Sequence, residues 1–347
     1  MKRFALFFGS LCLLLLFFAG VRNDTPFYIP TKWPKPSYDF SYNPLSEEKF
    51  ELGRTLFYDP DLSRDSTISC ANCHLQYSGF THIDHALSHG IDGQIGTRNA
   101  PVLINLAWQN SFHWDGGVSS LNKQAINPLT HPKEMDNTLE EILRRLNAST
   151  FYRSRFYAAF GDSAIEASHL LKALANFTVS LVSAQSKYDH VKNGESSFSP
   201  QEKSGYQLFK KYCASCHQEP LFTKNEFKSN GLPYSTALKD VGRMGITHRA
   251  SDSLLFKIPT LRNIEFSFPY MHDGRFKSLK EVLSHYAELH SHQTYYSKEL
   301  KKLNRTLSAH EQKDLLAFLK TLSDPTFLFN PAFKFPKNER SASNDKN

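Results

Sequence analysis

Cys70-Ala71-Asn72-Cys73-His74 and Cys213-Ala214-Ser215-Cys216-His217 decide how this chain is read. In C-x-x-C-H the two thiols can form thioethers to the haem vinyl groups, and the imidazole of the next residue is placed to bind the iron from one face. Two C-x-x-C pairs could also offer four thiolates to zinc, but zinc gives no reason for a histidine directly after each pair. A thioredoxin-like redox pair fits poorly, because nothing near either motif reads as βαβ. The remaining cysteine, Cys12, lies in an apolar N-terminal run. The repeated motif therefore reads as attachment of two haem c groups through Cys70, Cys73, Cys213 and Cys216, with His74 and His217 as iron ligands.

At 347 residues the chain is long enough for two domains, each with its own core. The formal charge of +7 is spread without a long basic run, so nucleic acid is not an expected partner. Residues 1–21 open with Lys2 and Arg3 and run apolar from Phe4 to Val21, the pattern of a signal peptide. Bulky Phe17 and Phe18 sit where cleavage wants small residues, and the run approaches membrane-span length, so an uncleaved anchor is the alternative. Cys12 has no small residues immediately before it, which argues against a lipid anchor. Export agrees with covalent haem attachment outside the cytoplasm, and the expected location is periplasmic.

Residues 22–43 read as an extended lead-in, proline-rich and without helical period. A first haem domain is expected over 44–195, a second over 196–330, and a polar tail over 331–347. Capping signals predict a helix from Ser46 to about Tyr58 and another opened by a capping box at Thr138-Leu139-Glu140-Glu141. Further helices are expected over Tyr152–Phe160 and Ala164–Ser183, the latter with Leu170, Leu171, Leu174, Phe177 and Leu181 as its buried stripe. Asn193-Gly194-Glu195-Ser196-Ser197 marks the boundary, and Ser199-Pro200-Gln201-Glu202 restarts a helix that runs into the second haem motif. Helices over Ser278–Leu289 and Ser308–Leu322 follow, the last stopped by Asp324-Pro325. Gly53-x-x-Leu56-Phe57 before the first motif is echoed by Gly205-x-x-Leu208-Phe209 before the second, as in two copies of one small helical unit. Gly79–Pro101 and Gln218–Thr260 carry no period, and irregular stretches of that length inside a compact domain are commonly functional. Strand signals are sparse, so the fold class is all-α.

From about Pro44 to Pro325 the sequence resembles the bacterial di-haem cytochrome c peroxidases and their relative MauG. Beyond the haem motifs, the resemblance rests on Gly96-Thr97-Arg98-Asn99-Ala100-Pro101, Phe112-His113-Trp114-Asp115-Gly116-Gly117, Asn127-Pro128 with Glu134-Met135, Phe256-Lys257-Ile258-Pro259-Thr260-Leu261-Arg262-Asn263, and Pro269-Tyr270-Met271-His272-Asp273-Gly274. It implies two cytochrome-c-like haem domains with long loops, the N-terminal haem being peroxidatic. By the same resemblance Glu134 is the distal acid/base residue, and Gln124 its neighbour in the peroxide pocket. A carboxyl group there can take a proton from one peroxide oxygen and return it to the leaving one, so that water departs instead of hydroxide. Without the resemblance Glu134 would read as a solvated loop charge and Gln124 as a surface residue. Trp114 corresponds to a tryptophan between the haems, a role compatible with plain core packing. Asn99 corresponds to a side-chain ligand of a calcium ion, joined by the carbonyls of Ser267 and Pro269; oxygen-only ligation suits calcium.

Some peroxidases of this kind carry a displaceable histidine ligand in the loop after the first haem motif, and His89 is the candidate here, followed by His85. The second haem departs from the peroxidase pattern. Where those enzymes present a methionine, this chain has Tyr286, as MauG has a tyrosine; Met271, His285 and His290 are rival ligands. A thioether favours ferrous iron, whereas an oxygen ligand favours ferric or higher states.

The resemblance implies reduction of hydrogen peroxide to water with electrons from a small donor such as cytochrome c, and a possible homodimer. One alternative is a MauG-like, peroxide-driven oxidase of a protein or small-molecule substrate, which Tyr286 favours. Another is a non-catalytic electron carrier with both irons closed, against which Glu134 argues.

Overall fold

A computed structural model describes residues 27–162, 164–289, 296–303 and 307–336. The leader over 1–21 with Cys12, the ligand candidate His290 and the end of the tail lie outside the described residues. The fold is all-α, as its apolar periodicities require. The longer helices of the first half are α1 (Glu47–Phe57), α2 (Leu139–Ala148), α3 (Thr150–Phe160) and α4 (Ala167–Val179). The longer helices that follow are α5 (Lys187–Asn193), α6 (Pro200–Tyr212), α7 (Leu279–Glu288) and α8 (Ala309–Lys320). The strands are β1 (Phe227–Lys228) and β2 (Phe256–Lys257), antiparallel with Phe227 opposite Lys257. Among the described residues no helix is long and apolar enough to cross a membrane.

Side-chain caps start most of these helices where the sequence places them. Ser46 accepts from Lys49 N, and full capping boxes form at Ser199/Glu202, Ser278/Glu281 and Ser308/Glu311. At Thr138 only half a box forms. Its hydroxyl accepts from Glu141 N, but the Glu141 carboxylate turns to Arg144 and Arg145 at 2.7 Å instead of reaching back. The helix expected over Ala164–Ser183 is shorter, ending at Val179. Beyond it Ser183 N–H donates to Asn105 Oδ1 at 2.9 Å and Ser183 Oγ to Asp324 Oδ2 at 2.8 Å, which draws the backbone out of the helix. Helix α5 was not anticipated, although Ser186-x-x-Asp189 and Gly194 are its cap signals.

The glycine echo proves to be a duplicated helix crossing. A Cβ on Gly53 of α1 would lie 2.0 Å from the Ala173 carbonyl of α4, and one on Gly205 of α6 would lie 1.9 Å from the Asp314 carbonyl of α8. At each crossing the next neighbour is a phenylalanine, Phe177 or Phe318, and both are fully buried. Two hydrophobic cores form around these crossings, and they do not divide at residue 195. Tyr188 packs in the second core, whereas Phe327, Leu328 and Phe333 return to the first. The start of the expected polar tail is thus a short helical turn, Pro331–Phe333, with Phe333 buried.

Candidate active site

Both C-x-x-C-H motifs form one helical turn. The His74 amide donates to the Cys70 carbonyl at 3.0 Å and the His217 amide to the Cys213 carbonyl at 2.9 Å, so cysteines and histidine share one side of the turn. The first turn is fixed by Ser69 N–H donating to Asn72 Oδ1 at 2.8 Å; the second continues from α6. His74 Nδ1 lies 2.6 Å from the Phe80 carbonyl, and His217 Nδ1 lies 3.2 Å from the Phe222 carbonyl and 3.1 Å from that of Pro259. A ring whose Nδ1–H donates to a carbonyl has its tautomer fixed and keeps Nε2 as a lone-pair ligand. Phe80 and Phe222 both adopt left-handed backbone, with φ of 57° and 52°. This repeated, unfavourable conformation turns the carbonyl toward each ring. Burial pushes the His74 imidazole down to about 4 and the His217 imidazole in the same direction, toward the neutral form that binds metal.

The two motifs open into one cavity of about 780 Å³, lined at the first by Cys73 and His74 and at the second by Cys213, Cys216 and His217. None of the four cysteines forms a disulfide. Lys257 also lines the cavity. Lys257 is half-buried; its ammonium donates to Gln109 Oε1 and the Ser111 carbonyl, neither of them charged, and desolvation pushes it down to about 7. Paired thiols, imidazoles with free Nε2 atoms and a cation short of a counter-charge together suit a haem, whose propionates bring carboxylates. Lys257 lies in the stretch Phe256–Asn263, and no local pattern marks it for this role.

A smaller cavity of about 60 Å³ adjoins the first motif and is lined by Cys70, Cys73, His74, Gln124, Glu134 and His89. Burial raises the Glu134 carboxyl above the ordinary range, against the opposing charge of His131. Ile91 N–H donates to the Glu134 carbonyl at 2.8 Å, tying the loop after the haem motif to the Glu134 turn. Gly90 allows this approach, since a Cβ there would lie 2.0 Å from the Lys133 carbonyl and 2.7 Å from Glu134 Cα. His89 is exposed beside this pocket, its ring 3.9 Å from that of His85.

Trp114 lines the large cavity together with Asn99, Ser267 and Pro269. The Trp114 indole N–H donates to the Asn99 carbonyl at 2.8 Å, and Lys257 N–H donates to the Trp114 carbonyl at 2.7 Å. Asn99 Nδ2 donates to the Ala86 carbonyl at 3.0 Å. Arg98 clamps the adjoining turn, reaching Asp115 at 2.5 Å and Asp240 at 2.6 and 2.8 Å.

Near the second motif Tyr286 of α7 lines the cavity, and burial followed by the proximity of Cys213 and Cys216 pushes its phenol upward. The described rivals are engaged by Asn230: its Nδ2 donates to Met271 Sδ at 3.2 Å, and His285 Nε2 lies 2.9 Å from its carbonyl. Asn230 had no sequence signal, because only the tertiary fold brings it to α7.

Comparison with known proteins agrees with this geometry. The model of the family described as di-haem cytochrome c peroxidase matches residues 47–197. The chain is 38% identical over 292 residues to the methylamine utilization protein MauG of Methylorubrum extorquens, covering 81% of this chain and 79% of that protein. It is 34% identical over 298 residues to the cytochrome c551 peroxidase of Nitrosomonas europaea, covering 84% of each. Among solved structures, a MauG-like protein associated with microbial copper homeostasis superposes with a TM-score of 0.80 at 33% identity, covering 89% of this chain and 99% of that one. The chain belongs to the di-haem cytochrome c peroxidase family, the haem c oxidoreductases that include MauG.

Proposed function

We propose that the protein reduces hydrogen peroxide to water at the His74 site, with electrons from a small c-type cytochrome received at the His217 site. The observation that carries this reading is Glu134, a half-buried residue whose carboxyl shares one small pocket with His74, Gln124 and both cysteines of the first motif. When bound, each haem would supply an iron centre that exchanges single electrons, held by Cys70, Cys73 and His74 at the first site and by Cys213, Cys216 and His217 at the second. Glu134 takes a proton from one peroxide oxygen and delivers it to the other, so that the bond breaks with water as leaving group. The Gln124 amide orients peroxide toward that carboxyl, and Trp114 offers a π-system for electrons crossing the cavity. Asn99, with the Ser267 and Pro269 carbonyls, would hold a calcium ion that braces Trp114 through Asn99. The basic and then apolar pattern of residues 1–21 supports export to the periplasm, with the segment either cleaved or kept as an anchor.

Steady-state oxidation of a reduced small cytochrome c by peroxide, with haem-loaded protein after mild pre-reduction, tests the proposal. Glu134→Gln should lower turnover by about 10² to 10⁴, and turnover equal to the parent would remove Glu134 from the mechanism. A MauG-like oxidase of another substrate is the second reading. Tyr286 supports it, because it faces the second motif while Met271 and His285 are held by Asn230. Absence of cytochrome turnover while peroxide is consumed would select that reading.

A further inference from the structure

A group of redox-capable side chains lies apart from the peroxide pocket. Tyr188 of α5 is 2% exposed, and its ring meets that of Phe222 edge-on at 4.7 Å. Phe222 is the residue whose carbonyl lies 3.2 Å from His217 Nδ1. One hydrogen bond, one residue and one ring contact thus join the second haem motif to a buried phenol. The Tyr188 hydroxyl donates to Glu219 Oε1 at 2.8 Å, and the Tyr206 hydroxyl donates to Glu219 Oε2 at 3.2 Å. The two tyrosine rings are 6.4 Å apart. Tyr206 is half-buried; Lys192 Nζ donates to its hydroxyl at 3.3 Å and Lys210 Nζ stands 4.7 Å from its ring centre. Burial first, and then Glu219, holds both phenols above the ordinary tyrosine range, so each keeps its proton. Removing an electron from a phenol makes its proton strongly acidic, and a hydrogen-bonded carboxylate is a ready acceptor for it.

We propose that Tyr188 and Tyr206, with Glu219 as their shared proton acceptor, form a redox relay between the His217 haem site and the protein surface. The relay rests on the peroxide reduction proposed above. Each phenol gives one electron toward His217 and its proton to Glu219, which passes it to solvent, leaving a neutral tyrosyl radical. Two such events balance one turnover: H2O2 + 2 Tyr–OH → 2 H2O + 2 Tyr–O•. A one-electron reductant at the surface, with a proton returned from solvent, restores Tyr206, and Tyr206 restores Tyr188 by giving an electron while Glu219 carries the proton between them. Lys192 and Lys210 favour an anionic reductant there. This provides a route for oxidising a substrate that never approaches the haem cavity.

The test adds peroxide to the haem-loaded full chain without cytochrome donor, freezes it rapidly and records the electron paramagnetic resonance spectrum. Peroxide consumption is followed in the same sample, and the protein is made with ordinary or ring-deuterated tyrosine. The expected result is a radical signal that narrows on tyrosine deuteration and is lost in the Tyr188→Phe/Tyr206→Phe double variant. That variant should retain the haem absorption spectrum and peroxide turnover with reduced cytochrome c. Glu219→Gln keeps both phenols but removes the base, and it should lower the signal. Peroxide consumption with no tyrosine-derived radical, or a radical unchanged in the double variant, overturns the relay alone. Absence of any peroxide consumption overturns the peroxidase reading and the relay with it.

Discussion

Gly90→Ala asks whether the loop after the first haem motif sets the position of Glu134. Gly90 has φ of −108°, so alanine meets no conformational bar. The obstacle is contact: the new Cβ would lie 2.0 Å from the Lys133 carbonyl and 2.7 Å from Glu134 Cα, both backbone atoms that no rotamer change can move. Restoring an ordinary 3.4 Å separation from that carbonyl requires a shift of 3.4 − 2.0 = 1.4 Å. A misplacement of about 1 Å in a catalytic group costs on the order of 10² in rate, or about 2.7 kcal/mol of transition-state stabilisation. The assay is kcat/KM for peroxide with a reduced small cytochrome c. Gly93→Ala is the matched control. Gly93 has φ of 67° with nothing within 4 Å of the added Cβ, so the change brings backbone strain of about 1–2 kcal/mol without touching Glu134. Equal kcat/KM in the two variants would refute the argument that Gly90 positions the acid.

The duplicated crossing predicts that Gly53→Ala and Gly205→Ala each destabilise the fold by at least the ~1–3 kcal/mol of an overpacked core. Denaturant unfolding measures this, and unchanged midpoints would mean that the helices separate freely. Tyr286→Met should raise the reduction potential of the second haem in a potentiometric titration, because a thioether favours ferrous iron; an unchanged potential takes Tyr286 off the iron. Asp189→Ala strands the fully buried Arg262, whose guanidinium is held by the Asp189 carboxylate at 2.8 Å through two bonds, and should cost about 3–5 kcal/mol of stability. In the parent, burial pushes the Asp189 carboxyl up, but Arg262 and Ser186 outweigh it and hold it below the ordinary range. Its contribution is therefore complete above the unfolded value of about 3.9 and is lost as pH falls below that. Melting temperatures from about pH 7 to about pH 3 should fall in the parent and fall less in Asp189→Ala; parallel curves would contradict the assignment.

Features confined to one or two helical turns are legible in the amino-acid order. The two Cys-x-x-Cys-His turns need only local spacing, because an amide of residue i bonding to carbonyl i−4 brings both thiols and the imidazole to one side. The caps at Ser46, Ser199, Ser278 and Ser308 are equally local, and the repeated Gly-x-x-Leu-Phe signals two copies of one helical unit, whose crossings onto Ala173 and Asp314 the fold supplies. Glu134, Gln124 and Trp114 are singled out only by family resemblance, since Glu134 and Trp114 stand in irregular backbone and Gln124 ends a helix too short to show a period. The fold alone reveals that Gly90 lets the loop backbone close on Lys133 and Glu134, that Lys257 braces Trp114, and that Asn230 engages Met271 and His285. It also returned Phe333 to the first core and gave Tyr188 to the second. These contacts join residues far apart in the chain through single hydrogen bonds and close backbone approaches, and such contacts leave no repeating pattern of polar and apolar residues to be read.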